Sequence, residues 1–472
     1  MRGLPCRRDA ERSLVGIVML LAGLSGISLS LARSGSVFGW DTVLCFAAAT
    51  AFAAAHLLLA AARFDGDQII ASLIAAAAAL GYASVLRLRP DLALRQLSFI
   101  WIGVGAMVSA ALWQSKGRAS GSGMALAAGA AALLLVTLAF GQEHGGARSW
   151  IFIGGMGFQP SEFAKIACVL AGADALSTLP ACREASSPSQ LSPQPSTPPS
   201  ALHRASLGRM WASRPVRAVF LIWFVIVALI VLQRDVGTAA IVYISCVALA
   251  YVASGNRHLV LGAAALGAAG VGLACRFFPH VGARFAAWSN PWADAAGSSY
   301  QVVQAFYALG SGGMLGRGYG SGSPWLIPAA PTDMLFAASA EEIGLAGSLG
   351  VIAIYFLLVG HAYACAMRGR SPRQQLAAVG AANILAVQAF VIIGGNLGVL
   401  PLTGVTLPFA SYGGSSMISS LALAGILLGS TVECESAADK AASASAGAAG
   451  ATTDVDHGSD GNDGNRGGGD GR

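Results

Sequence analysis

The sequence predicts an all-α polytopic membrane protein with about twelve transmembrane helices. Of its 472 residues, 55% are hydrophobic and 11% charged, where a soluble chain carries roughly 25% charged residues. The deficit is concentrated in long uncharged runs such as 13–32 and 42–62, each able to cross about 30 Å of hydrocarbon as a helix. The runs are also rich in Ala and Gly, which lets helices pack closely in lipid. The net charge of +6 sits mostly in Arg residues between the runs. It therefore reads as a topology signal and not as a nucleic-acid patch.

In chain order the candidate spans are 13–32, 42–62, 69–86, 97–113, 123–141, 161–178, 216–233, 236–254, 258–276, 337–359, 376–395 and 408–430. The first follows Arg2, Arg7, Arg8 and Arg12, as in a signal peptide, but its length and the spans after it make it an uncleaved anchor. The sixth carries Glu162 and Lys165 and is the least hydropathic. Basic loops face the cytoplasm. With the N-terminus inside, Arg63, Lys116, Arg118, Arg257, Arg368, Arg370 and Arg373 all fall inside, as do Arg183, Arg204, Arg209 and Arg214 in the loop 179–215. Arg87, Arg89 and Arg95 dissent and fall outside. Loop 179–215 is Ser/Pro-rich and the tail after Glu433 is rich in Ala, Gly, Ser and Asp; both read as disordered. The eight cysteines form no CxxC pair, and Cys45, Cys168, Cys246 and Cys275 lie in apolar runs. They read as small apolar residues, with no metal site or disulfide framework.

This topology sends four polar stretches to the outer face: 145–165, 232–238, about 277–334 and 396–417. Arg148 alone fits a charge snorkelling at a helix end. Glu162, Lys165 and Asp235 lie in or beside spans, where a charge costs roughly 2.5–3.5 kcal/mol at the helix centre. Glu162 and Lys165 share a helix face and fit either an ion pair inside the bundle or a substrate path. The stretch 310–324 is Gly-rich but lacks the GK[ST] ending of a phosphate loop. In the outer loop, Asp294 follows Trp288, Pro291 and Trp292. Such tryptophans hold a loop at headgroup level, and a carboxylate there can act as a general base with its pKa raised by apolar surroundings.

Taken together, the pieces "GARSWI…FQPSEFAK", "QRDVGT", "NPWADAAGSSYQ", "GRGYG", "TDMLFAASAEEIGLAG" and "PLTGVTLPFASYGGSS" resemble, in order, the motifs of the SEDS family of cell-wall proteins (FtsW/RodA/SpoVE). The resemblance covers about residues 97–430. It implies 1–12 as a cytoplasmic N-terminus, 13–96 as extra N-terminal spans, 97–430 as the membrane domain with outer loop 277–336, and 431–472 as a cytoplasmic tail. It also implies a peptidoglycan glycosyltransferase of the cell membrane that polymerises lipid II onto a polyprenyl-pyrophosphate-linked glycan. Its partners would be a class B penicillin-binding protein and other divisome or elongasome proteins. Asp294 takes the position of the family's catalytic carboxylate. Arg148, Glu162, Lys165, Asp235, Arg284, Gln301, Asp333, Glu342, Thr403, Ser411 and Ser415 are the expected substrate-binding set. A divalent cation, Mg or Mn, would assist the leaving pyrophosphate. The chain departs from the family at Ser149, Arg234, Ala295, Ala329 and Pro331. A lipid II flippase and a non-catalytic scaffold for a penicillin-binding protein are the competing readings.

Overall fold

The computed structural model describes residues 4–116, 121–144, 146–154, 156–179, 213–367, 369 and 371–432. Five helices come first: α1 (Leu4–Ser34), α2 (Trp40–Ala61), α3 (Ile69–Leu88), α4 (Ala93–Ser115) and α5 (Gly123–Phe140). A small antiparallel meander follows, β1 (Gln142–His144), β2 (Ala147–Ile153) and β3 (Met156–Phe158). Then come α6 (Pro160–Leu176), α7 (Arg214–Leu232), α8 (Val236–Ser254) and α9 (Arg257–Phe277). The next two, α10 (Pro279–Ser289) and α11 (Tyr300–Ser311), lie in the expected outer loop. Last are α12 (Leu335–Ala366), α13 (Pro372–Asn396) and α14 (Gly414–Ser430). The expected disordered loop lies, from 180 to 212, outside the described residues, and so does the tail from 433.

Ten of the described helices are long and apolar enough to span a membrane: α1 to α5, α7 to α9, α12 and α13. The expected count of about twelve is met by ten helices of this length and two shorter ones. The runs at 161–178 and 408–430 became α6 and α14, of 17 residues each. At 1.5 Å per residue such a helix is about 25 Å long. Both are covered along nearly their whole length by neighbouring helices. The second starts late because residues 406–413 are held outside the helix. Ser411 Oγ accepts the Leu407 N–H at 3.1 Å, and Phe409 takes a left-handed φ of 66°.

Small residues set the packing, as the Ala/Gly content suggested. A Cβ on Gly425 would lie 2.2 Å from the Met107 carbonyl, and one on Gly429 2.4 Å from that of Ala111. Four residues apart on α14, these glycines let its backbone lie directly on α4. The most enclosed spans are α3 and α13, whereas α9 is the least buried of the ten.

The Gly-rich stretch 310–324 repairs a broken helix. Gly344 inside α12 has φ 67° and ψ −171°, so the helical ladder fails around it. The neighbouring loop takes up the freed groups. Arg317 N donates to Glu341 O at 3.1 Å and Gly318 N to Glu342 O at 2.9 Å, while Leu345 N and Ala346 N donate to Gly313 O and Met314 O at 2.9 and 3.0 Å. Unpaired backbone groups are costly at membrane depth, so a break there requires such a partner. The side chains join in: Glu341 Oε1 accepts from Ser323 N at 3.0 Å and Glu342 Oε1 from Gly320 N at 3.1 Å.

The dissenting basic loop has a local explanation. Arg87 pairs with Glu342 at 3.2 Å, donates to Gly320 O at 3.1 Å, and sits 5.6 Å from the Trp325 ring. Arg89 binds both oxygens of Asp91, at 2.9 and 2.7 Å. Arg87 and Arg89 thus each have a committed partner, which a count of Arg does not register.

Candidate functional site

The four polar stretches meet at one end of the bundle. Arg148 N, on β2, donates to Gln233 O at 2.8 Å. Arg284 on α10 donates to Thr403 O at 2.6 Å, and Trp288 Nε1 to Gly398 O at 3.0 Å. Gln301, one residue into α11, reaches Asp333 at 3.5 Å. Asn396 at the end of α13 donates to Asp333 O at 2.8 Å. The segment 277–336 is thus pinned to the 396–405 loop at several points.

Asp294 ends the short 3-10 turn Pro291–Asp294, which opens on a proline. The residue is exposed. Its Oδ2 accepts from Ser298 N at 2.7 Å and from Ser298 Oγ at 2.8 Å. These bonds favour the ionised form and hold the carboxyl below the ordinary aspartate range. The expectation of a raised Asp294 pKa is corrected: the side chain sits in solvent against donors, not against apolar surface. A Cβ at Gly297 would lie 2.4 Å from Asp294 Oδ1, so a glycine there leaves room for the carboxylate.

Asp333 behaves oppositely. It lies in the turn before α12, with Thr332 Oγ1 donating to its Oδ1 at 3.1 Å. Burial pushes its carboxyl up, outweighing its own hydrogen bonds and the Arg284 charge nearby. The two carboxylates on this segment thus have pKa values driven apart by their surroundings. Beside them, Thr403 Oγ1 is buried without a hydrogen-bond partner, as polar atoms lining binding sites can be.

The structure places a second group of expected residues beneath this surface. Glu162 and Lys165, three apart on α6, pair at 2.8 Å and are 2% and 0% exposed. Ser419 on α14 donates to Glu162 at 2.6 Å. Lys165 also donates to Gln388 Oε1 on α13 at 2.8 Å, and Gln388 Nε2 donates to Thr406 O at 2.8 Å. Asp235 caps α8 by accepting from Thr238 N at 3.2 Å, and it accepts from Gln159 at 2.9 Å. A Cβ on Gly237, in the first turn of α8, would lie 2.9 Å from Thr403 O, so this layer touches the floor of the upper one.

The remaining expected residues are held elsewhere. Arg148 donates through Nε to Gly141 O at 2.8 Å and through Nη2 to Ala139 O at 3.3 Å, closing the C-terminus of α5. Glu342 is bound to Arg87 as described. Ser411 braces its own turn, and Ser415 is buried in the first turn of α14. Sequence reasoning missed Ser298, Gln388 and Ser419. A serine four residues after Asp294 fits a local side-chain-to-backbone turn, and Gln388 was visible, with Asn383, as one of two polar residues in an apolar run. Ser419 carried no such signal.

The sequence model of the FtsW/RodA/SpoVE family, described as a cell cycle protein, matches residues 68–435, a stretch beginning just before α3. The RodA peptidoglycan glycosyltransferase of Mycobacterium tuberculosis is 29% identical over 439 residues, covering 90% of each chain. The probable FtsW peptidoglycan glycosyltransferase of Thiomicrospira cyclica is 33% identical over 302 residues, covering 63% of this chain and 71% of its own. Stage V sporulation protein E of Bacillus subtilis is 30% identical over 303 residues, covering 63% and 74%. Among solved structures, a chain of a peptidoglycan synthase complex that coordinates polymerization and crosslinking aligns with TM-score 0.61 at 28% identity, over 78% of this chain and 98% of its own. RodA of Thermus thermophilus aligns with TM-score 0.55 at 28% identity, over 78% and 97%.

The buried pair generates a direct test. Lys165→Met leaves Glu162 buried without its cation and should cost about 3–5 kcal/mol of stability, whereas the double variant with Glu162→Gln should recover part of it. Thermal unfolding in detergent reads both. Equal melting temperatures for the wild type and Lys165→Met would show that the pair does not hold the bundle.

Proposed function

The chain belongs to the FtsW/RodA/SpoVE family of cell cycle proteins, and from that premise we propose that it is a peptidoglycan glycosyltransferase polymerising lipid II at the outer face of the cell membrane, in division or elongation. The observation that carries the reading is the Asp294 carboxylate, held ionised by Ser298 at the end where all four polar stretches meet.

The acceptor is the sugar 4-hydroxyl of lipid II, and the donor is a glycan on a polyprenyl pyrophosphate. The acceptor oxygen forms a bond to the donor anomeric carbon as the bond to pyrophosphate breaks, inverting α to β. The hydroxyl proton passes to Asp294, and a positioned general base contributes roughly 10²–10⁴-fold. Arg284, fixed on Thr403 O, supplies positive charge for the departing pyrophosphate. Gln301 and Thr403 line the same segment as polar contacts. A divalent cation, Mg or Mn, would escort the pyrophosphate, and Asp294 or Asp333 carries the hard oxygen ligands that would hold it. The layer of Glu162, Lys165 and Asp235 holds the floor in place. Arg148, Glu342, Ser411 and Ser415 hold the elements that frame it.

A class B penicillin-binding protein is the proposed partner, supported by the solved relative that forms part of a peptidoglycan synthase complex. The flippase reading drew on Glu162, Lys165 and Asp235 as a transport path. Each is committed to a partner within the bundle, which removes its motivation.

Three outcomes are expected. With labelled lipid II and the purified protein plus its transpeptidase, Asp294→Ala should lower polymer formation by about 10²-fold or more at an unchanged melting temperature. Undiminished polymer would sink the assignment, and lipid translocation without polymer would restore the flippase. Activity in the wild type should fall first as pH drops through the raised Asp333 carboxyl, because both carboxylates work ionised. Asp333→Asn fixes the neutral form and should therefore lower activity across the whole profile, leaving only the acid limb of Asp294 at lower pH, read between roughly pH 4 and 7; full activity in Asp333→Asn counts against a role for Asp333. Finally, a membrane-impermeant thiol reagent added to intact cells should label Ser289→Cys, an exposed position, above the unsubstituted chain. Labelling only after lysis would reverse the orientation.

A further inference from the structure

The opposite end of the bundle holds a cluster that the glycosyltransferase reading does not use. Asp67 lies just before α3, and His361 and Cys365 stand four residues apart on the last turns of α12. The spacing puts the imidazole and thiol on one helix face, and the α2–α3 turn brings the carboxylate to them. His361 Nε2 lies 2.9 Å from Asp67 Oδ2, and Cys365 Sγ lies 3.6 Å from the same oxygen. All three donor atoms fall within 4.8 Å of one another.

We propose that Asp67, His361 and Cys365 form a zinc site that ties α12 to the α2–α3 turn. Nitrogen, sulfur and oxygen donors on three residues are the ligand types zinc takes, at about 2.0–2.3 Å from the ion in a tetrahedral arrangement. Neighbouring ligand atoms of such a tetrahedron stand about 3.3–3.8 Å apart; Cys365 Sγ and Asp67 Oδ2 already meet that spacing at 3.6 Å, while the imidazole, now hydrogen-bonded to Asp67 at 2.9 Å, would move out by a few tenths of an ångström to admit the ion. A thiolate and an imidazole select against Mg and Ca, which prefer oxygen. His361 is 31% exposed, so a water can reach the fourth position.

The carboxylate is also oriented as a ligand would need. Asp67 Oδ1 accepts the Ile69 N–H at 3.0 Å, and Asp67 N donates to Thr431 Oγ1, just beyond α14, at 2.8 Å. These bonds turn Oδ2 toward the imidazole and thiol, as outer contacts do around metal ligands. Binding converts the Cys365 thiol to a thiolate and releases its proton to solvent, so affinity rises with pH. The separation of 294 residues between Asp67 and His361 explains why His and Cys spacing alone suggested no metal.

Cobalt(II) is the probe, because a thiolate ligand gives it a sulfur-to-metal charge-transfer absorption. Titrated into the purified full-length protein after chelation, cobalt should produce that band, and added zinc should abolish it. Cys365→Ser should lose the band, His361→Ala should weaken cobalt binding by at least about tenfold, and Cys275→Ser should retain it. Zinc should also raise the melting temperature of the chelated wild type. Absence of the band in the wild type, or its persistence in Cys365→Ser, overturns the proposal. The wild-type titration decides the matter even where a variant does not fold.

Discussion

A lysine and a glutamate with no access to solvent constrain everything around them. Lys165 and Glu162 lie on one helix face at the middle of the bundle, and neither tolerates loss of its partner there. Their remaining hydrogen-bonding capacity is met by Ser419 of α14 and Gln388 of α13. Gln388 in turn holds the backbone of Thr406. One ion pair thereby fixes three helices against each other and sets the height of the 401–413 loop. The stretch around it receives Arg284 at the Thr403 carbonyl and Trp288 at the Gly398 carbonyl, so the segment 277–336 rests on a loop that Gln388 braces.

The same logic of partnered polar groups recurs at the break in α12. Gly344 interrupts a helix at a place where exposed backbone is costly, and the Gly-rich stretch repairs it with its own N–H and C=O groups. Arg87 then closes the assembly by binding Glu342 and the Gly320 carbonyl. A surface built in this way is rigid beneath and open above. On it, Asp294 stands in solvent against two serine donors and Asp333 is packed into a turn, so identical side chains acquire opposite tendencies to hold a proton.

Much of this was legible in the chain. Run length and charge deficit located the helices, and the motif series located Asp294 and its neighbours. The runs at 161–178 and 408–430 became short helices, and the second begins only at Gly414 because hydropathy reports apolarity, not the turn that Ser411 braces. The partner of Arg87 was not legible, because a charge count cannot see Glu342, 255 residues away. The Asp294 pKa was misjudged in the same way. Adjacent tryptophans suggested an apolar setting, but the side chain turns to Ser298.

The sequence by itself determined which segments are apolar enough to cross a bilayer and which residue types sit at each junction, because hydropathy and motif spacing are local properties. The tertiary structure alone decided that Lys165 meets Gln388, that Asp67 meets His361 and Cys365, and that Asp294 faces solvent while Asp333 does not. Those outcomes depend on which helix faces are pressed together across hundreds of residues, and helical periodicity carries no record of the partner.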